Sequence, residues 1–268
     1  MDARVSPWAT CPPRRLSGVA GVLTDIDDTL TRDGAIEPAA HAALVRLAQA
    51  RIPVIAITGR PMGWSEPFAR DWPVAAIVAE NGAVALFREA GALRIEYAQD
   101  AATRERNAQR LREATDAVWR EVPEARLAAD SAGRLTDIAI DHSEFAHLAP
   151  PDIERVVGVL HARGMNATVS SIHINAWFGE HDKPSGARWI VRRVLGLDLD
   201  TQAPRWVYVG DSTNDQAMFG RFELSVGVAN LMRFASQLHT WPTYLTAGER
   251  GTGFAEVADA LIAARSSG

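Results

Sequence analysis

The sequence predicts an α/β protein: a doubly wound parallel sheet interrupted by an inserted α+β unit. Three observations carry this reading. Short apolar runs alternate with helix-spaced segments at the start of the chain, which implies right-handed crossovers and parallel strands. Each run ends in a polar cluster. In the middle, a stretch of about a hundred residues pairs strands in hairpins before the first pattern resumes.

The elements follow in order. Val19-Ala20-Gly21-Val22-Leu23 is a buried strand, ended by Thr24-Asp25-Ile26-Asp27-Asp28-Thr29. Residues 38–49 carry Ala, Leu and Val at helical spacing. Pro53-Val54-Ile55-Ala56-Ile57 is a second strand, ended by Thr58-Gly59-Arg60, and residues 61–70 form a short helix or loop. Val74-Ala75-Ala76-Ile77-Val78-Ala79 is a third strand, ended by Glu80-Asn81-Gly82.

From residue 83 the pattern changes. Residues 83–87 and 93–97 read as an antiparallel pair about Gly91, followed by a long helix over 101–121. A second hairpin (126–129 with 135–140), a helix (151–163) and two strands (167–170, 172–177) complete the insert. The expected division is therefore a core of residues 1–82 and 180–268, with residues 1–18 a loosely ordered lead-in, and an inserted unit of 83–179. The core resumes with a helix over 185–195, the strand Trp206-Val207-Tyr208-Val209 ended by Gly210-Asp211, and a helix near Asn214. A last strand over 224–228 and a closing helix over 255–264 follow.

Composition narrows the function. The 47% hydrophobic and 23% charged shares of the 268 residues are those of a soluble globular protein with a sizeable core. A net charge of −5 offers no basic field to nucleic acid or anionic lipid, so neither is expected as a partner. The longest apolar runs are strand-length, too short to span a bilayer, and no signal-peptide core precedes them. The single cysteine, Cys11, cannot make an internal disulfide. A cytoplasmic monomer or homodimer is the expectation.

The chemistry is concentrated where strands end, the usual site of reaction in open α/β sheets. Asp25, Asp27 and Asp28 crowd three carboxylates into four positions, and mutual repulsion makes this costly unless a cation is held there. Magnesium suits such hard oxygen donors. Asp25-Ile26-Asp27-Asp28-Thr29, Thr58, Lys183 and Gly210-Asp211-Ser212-Thr213-Asn214-Asp215 stand in this order along the chain. In order and spacing they resemble the four motifs of the haloacid dehalogenase superfamily, and the resemblance covers residues 19–264. The inserted unit between the second and third motifs, with Gly59-Arg60 and Glu80-Asn81-Gly82, resembles the Cof-type branch (subfamily IIB), which includes sugar-phosphate phosphatases.

That resemblance implies a Rossmann-like core with a cap, acting on a small-molecule phosphate ester with Mg2+ as cofactor. Asp25 would be the nucleophile and Asp27 the acid and base. The metal would be held by the Asp25 carboxylate, the Asp27 carbonyl and Asp211, with Asp215 and Asn214 supporting it. Thr58 and Lys183 would hold the phosphoryl group, and Thr29 would order the turn. Gly59, Arg60 and Asn81 are candidate substrate contacts, Arg60 as a phosphate clamp or as a structural ion pair. Within the cap, His173, Asn175 and Trp177 alternate along a strand and share a face, either gripping a polar leaving group or lying on a half-exposed sheet face. A phosphomannomutase-like isomerase shares this core and is the alternative activity. A receiver-type signalling domain also uses acids, a Thr and a Lys around magnesium. Its acceptor Asp ends a middle strand, whereas Asp25 ends the first.

Overall fold

A computed structural model describes residues 5–266. The first strand, β1 (Ser6–Pro7), leads through Trp8 to the short helix α1 (Pro13–Leu16) and then to β2 (Gly21–Thr24). A small hairpin, β3 (Thr31–Arg32) with β4 (Ala35–Ile36), follows the acidic turn. Next come α2 (Pro38–Gln49), β5 (Val54–Ile57), α3 (Met62–Asp71) and β6 (Ala76–Ala79). Strands β7 (Val84–Glu89) and β8 (Ala92–Tyr97) form a hairpin. The insert holds α4 (Ala101–Glu121), β9 (Arg126–Leu127), β10 (Asp137–Asp141), α5 (Pro150–Ala162), β11 (Asn166–Val169) and β12 (His173–Trp177). The chain closes with α6 (Lys183–Leu195), α7 (Leu199–Gln202), β13 (Trp206–Gly210), α8 (Gln216–Phe219), β14 (Leu224–Gly227), β15 (Tyr244–Leu245) and α9 (Arg250–Ser266).

The large sheet runs β1-β15-β14-β13-β2-β5-β6-β7-β8. It is parallel as far as β6, with β7 and β8 added antiparallel. Strand alternation sends side chains to two separate cores. Val22, Val54, Ala56, Val207 and Val209 face the layer of α2 and α9. Leu23, Ile55, Ile57, Trp206 and Tyr208 face α6 and the segment around Phe219. Burial on both faces explains why these strands read as unbroken apolar runs. After β2 the chain winds outward through β5 and β6, and it later returns to lay β13 on the other side of β2. The carboxyl ends of β2 and β13 therefore flank a topological switch point, where an open sheet leaves a crevice.

The insert packs on its own centre. Leu111, Ala114 and Val118 of α4, with Val156 and Leu160 of α5, cover Ile140, Ile174 and Ala176 of the four-stranded sheet β11-β12-β10-β9. Three expectations need correction. The hairpin at 84–97, expected in the insert, continues the large sheet. Val84 and Leu86 join one core, and Ala85 and Phe87 the other. Alternation makes a hairpin legible but does not say which sheet it joins. The lead-in, as far as it is described, is packed and not loose: Trp8, Cys11 and Leu16 are buried beside α9, and β1 pairs with β15. Residues 1–4 of that lead-in lie outside the described residues. Strand β15, two residues long, also follows the strand expected to be last.

Candidate active site

The turn after β2 wraps around one carbonyl. The backbone N–H groups of Thr29, Leu30 and Thr31 and the Thr31 hydroxyl all donate to the Ile26 oxygen, at 2.8–3.2 Å. Asp28 closes the turn in the left-handed region (φ 53°), a conformation Asp tolerates better than most residues. This knot aims Asp25 back over the sheet and leaves Asp27 and Asp28 facing the crevice. Asp25 is only 4% exposed.

Lys183 reaches the same point from the first turn of α6. Asp182 caps this helix, accepting from the Ser185 N–H at 2.7 Å while its own N–H donates to the Ser185 hydroxyl at 2.8 Å. Close approach of the helix depends on Gly82 (φ 109°), where a Cβ would lie 2.1 Å from the Asp182 carbonyl. Lys183 Nζ then donates to Asp25 Oδ1 and to Asp215 Oδ1, both at 2.7 Å. Asp215 is fully engaged. Its Oδ1 also accepts from the Tyr208 hydroxyl, and its Oδ2 takes the N–H groups of Asp211 (2.9 Å) and Ser212 (3.2 Å). Asp215 thus holds Lys183 and the 210–212 turn in place. Asp211, fully buried, has weaker partners: Thr29 Oγ1 at 3.4 Å and Asn230 Nδ2 at 3.3 Å.

Burial governs the charges here. It pushes the Asp25 carboxyl up to about 8 against the attraction of Lys183, with Asp215 and Asp27 adding to the rise. Burial, then the charges of Asp25 and Asp215, raise Asp211 well above the usual carboxylate range. For Lys183, burial opposes the charge, but Asp215 and Asp25 outweigh it and its ammonium is held firmly. One lysine cannot balance three buried carboxylates in their ionised forms, which is why burial favours the protonated ones here. Oxygens of Asp25, Asp211 and Asp215 lie within 4.8 Å of one another. Hard oxygen donors, more carboxylates than one lysine can balance and the weakly partnered Asp211 fit a divalent ion such as Mg2+.

The structure brings Asp25, Thr29, Lys183, Asp211 and Asp215 into one cluster and places the other candidates around it. Thr58 is buried at the end of β5, its hydroxyl accepting the Arg60 N–H at 2.9 Å. Asn214 stands aside, its side-chain oxygen taking the Ser212 hydroxyl at 2.9 Å. Asn81 adopts a left-handed conformation, and its amide reaches Asp137 Oδ2 of the insert at 3.5 Å. Gly59 lies against the insert, where a Cβ would come within 2.8 Å of the Asn175 amide. Of its two readings, Arg60 takes the ion pair: its guanidinium binds Asp27 (2.9 Å), Asp130 (3.1 Å) and Glu144 (2.7 Å).

His173, Asn175 and Trp177 do share one face of β12, but that face is neither half-exposed nor open to the crevice. His173 Nε2 pairs with Glu144 at 2.8 Å, Asn175 packs on Gly59, and Trp177 donates to the His181 carbonyl at 2.7 Å. All three are buried, Asn175 against the core, Trp177 against the linker and His173 on the insert's own Glu144, because a sheet lying over the crevice spends this face on the interface between the two units. The open cavity, about 640 Å3, is instead lined by Asp27, Asp28, Arg60 and Asp211 below and by the loop residues His142–Phe145 and Ile172 of the insert above. Phe145 is 77% exposed at its rim. Sequence reasoning missed these loop residues, as well as Asn230 and Arg250. Asn230 donates to the Asp28 carbonyl at 2.9 Å, and Arg250 Nε pairs with Asp28 at 2.6 Å. Asn230 stands just beyond the end of β14, so the strand-end rule that found Asp211 also reaches it.

Comparison with known proteins agrees with this fold. Residues 22–106 match the family model of haloacid dehalogenase-like hydrolases. No curated protein matches the sequence. Solved structures match over nearly the whole chain. A Thermoplasma acidophilum protein is 17% identical, with a TM-score of 0.68, over 91% of this chain and 98% of its own. The Synechocystis sucrose-phosphatase, solved with sucrose and phosphate, is 15% identical with a TM-score of 0.64 over 91% and 98%. A Plasmodium vivax protein described as HAD/COF-like is 15% identical with a TM-score of 0.66 over 93% and 98%. At such identities the likeness is one of fold.

Proposed function

We propose that this chain, a haloacid dehalogenase-like hydrolase by its family match and its fold, is a magnesium-dependent phosphatase. It hydrolyses a small phosphorylated metabolite, most simply a sugar phosphate, through an aspartyl-phosphate intermediate. The observation that carries this is the meeting of Asp25, Lys183 and Asp211 at the switch point, where Asp211 and Asp27 line a cavity large enough for a small ester.

The chemistry follows from placement. An Asp25 oxygen attacks phosphorus as the ester P–O bond breaks, and Asp27 gives the leaving oxygen its proton. Water then attacks phosphorus, Asp27 takes its proton, and the bond to Asp25 breaks to release phosphate. Lys183 and Thr58 supply a positive charge and a hydroxyl to the phosphoryl oxygens. Asp25 and Asp211, with the Asp27 carbonyl, would hold the metal, which when bound neutralises the phosphate and favours the ionised, nucleophilic form of Asp25. The insert closes the cavity from above and selects the leaving group. The likeness to a sucrose-phosphatase supports the sugar-phosphate reading, as does the alternation of polar loop residues with Phe145 and Ile172 around the rim.

The test is phosphate release from a panel of phosphorylated metabolites, with Mg2+ and with excess chelator. Release that requires Mg2+ and is greatest on sugar phosphates is expected. Undiminished release in chelator would overturn the metal site, and isomer without phosphate would mark a mutase.

A further inference from the structure

Arg60 is a buried cation with more acid around it than one charge requires. Its side chain is 5% exposed. Nε binds Asp27 of the core, while the two terminal nitrogens bind Asp130 and Glu144 of the insert. A guanidinium is a rigid planar fork, so fixing the far nitrogens fixes the direction of Nε as well.

Both partners from the insert are themselves held. The loop bearing Glu144 is cinched by Asp141, whose carboxylate accepts the N–H groups of Ser143, Glu144, Phe145 and Ala146 at 2.8–3.1 Å. Glu144 also takes a hydrogen bond from His173. Burial tends to raise the Glu144 carboxyl, but the bonds from His173 and Arg60 bring it down to about 2, so it is ionised and the His173 Nε2 carries the proton. Asp130 is pinned by Arg134, which in turn grips Asp137 at 2.9 Å and the Gly59 carbonyl at 2.9 Å.

We infer that Glu144 is a positioning residue: seated on Arg60, it aims the Asp27 carboxyl at the leaving group only while the insert lies over the core. This rests on the phosphatase reading, in which Asp27 is the proton donor. The insert would then do more than cover the cavity. Its arrival completes the acid, and a turnover begun with the cavity open would lack it.

The test compares the full-length wild type with Glu144→Gln on two probes, p-nitrophenyl phosphate and phenyl phosphate, in Mg2+. The p-nitrophenolate leaves without help, whereas phenolate needs a proton. The expected result for Glu144→Gln is a fall in kcat/KM, which excludes the dephosphorylation step common to both esters, of about tenfold or more on phenyl phosphate and less than about threefold on p-nitrophenyl phosphate. Equal losses on the two esters, or none, would overturn the proposal, since a residue that merely braces the insert is blind to the leaving group. Hydrogen–deuterium exchange gives a readout independent of turnover. Exchange in Glu144→Gln should rise both in residues 143–146 and across the interface in residues 26–31, and an unchanged 26–31 turn would also overturn it. A wild type that releases phosphate from neither ester nor from any member of the metabolite panel would sink the phosphatase reading, while the exchange result would still decide whether Glu144 holds the Asp27 turn.

Discussion

Asp25 and Lys183 make an asymmetric pair, and the asymmetry is measurable. Asp25 is one of several buried acids and its charge is opposed by burial, so Asp25→Asn removes repulsion while keeping an oxygen for Lys183. We expect this variant to fold at least as stably as the wild type without divalent ions. Its turnover should fall about a thousandfold or more, because an amide cannot form the acyl phosphate. Retention of a tenth of wild-type rate would sink the assignment of Asp25 as nucleophile. Lys183→Ala acts in the opposite sense, stranding Asp25 and Asp215 in the interior without a counter-ion. Denaturant unfolding should show a loss of about 3–5 kcal/mol, and whatever protein folds should be slow on every phosphate ester. A stability change of the same sign in both variants would contradict the charge balance described above. These residues were legible in the sequence because each stands one step beyond a buried strand or opens a helix. Tyr208 was not, since an aromatic residue inside a strand reads as core, and only the fold shows its hydroxyl turned to Asp215.

At the scale of elements, legibility followed burial on both faces. Strands β2, β5, β6 and β13 are continuous apolar runs, and the sequence reading placed all four. Strands β1 and β15 are two residues long, with no periodicity to read, yet they build the edge of the sheet and turn the lead-in into structure. Trp8 is the test of that edge. It is 4% exposed, meets Tyr244 edge to face at 5.5 Å and donates to the Glu256 carbonyl of α9. Trp8→Ala should cost about 3–5 kcal/mol, the usual price of deleting a buried aromatic side chain. A urea midpoint that barely moves would mean the lead-in is an ornament and not part of the core. The stripe on β12 teaches a related point. Alternation correctly placed His173, Asn175 and Trp177 on one face, but what that face meets is set by the loops and by Arg60, more than a hundred residues away.

For the whole molecule, the decisive question is what joins the insert to the core, and His181 lies on the returning linker. Its ring stacks on Trp177 at 5.7 Å, is largely buried, and its Nε2 has no hydrogen-bond partner among the described residues. Burial lowers its pKa to about 4, against the usual 6.5, with Asp182 opposing the fall only in part. The sign follows from linkage. The unfolded chain takes up a proton near pH 6.5 while the folded one resists until about pH 4. Stability from this group is therefore complete above pH 6.5 and is lost as pH falls through that window. Other buried groups slope the opposite way, because burial raises Asp137 to about 8 even against Arg134, so the total curve does not isolate His181. The difference between wild type and His181→Phe does. Phenylalanine keeps the stacking, removes the orphaned nitrogen and never ionises, while the backbone carbonyl that receives the Trp177 N–H is unchanged. Relative to its position at pH 7.5, the wild type should lose about 2 kcal/mol against the variant at pH 5. Urea unfolding at a series of pH values measures this, and parallel curves for the two proteins would show that His181 is hydrated or partnered in the folded state.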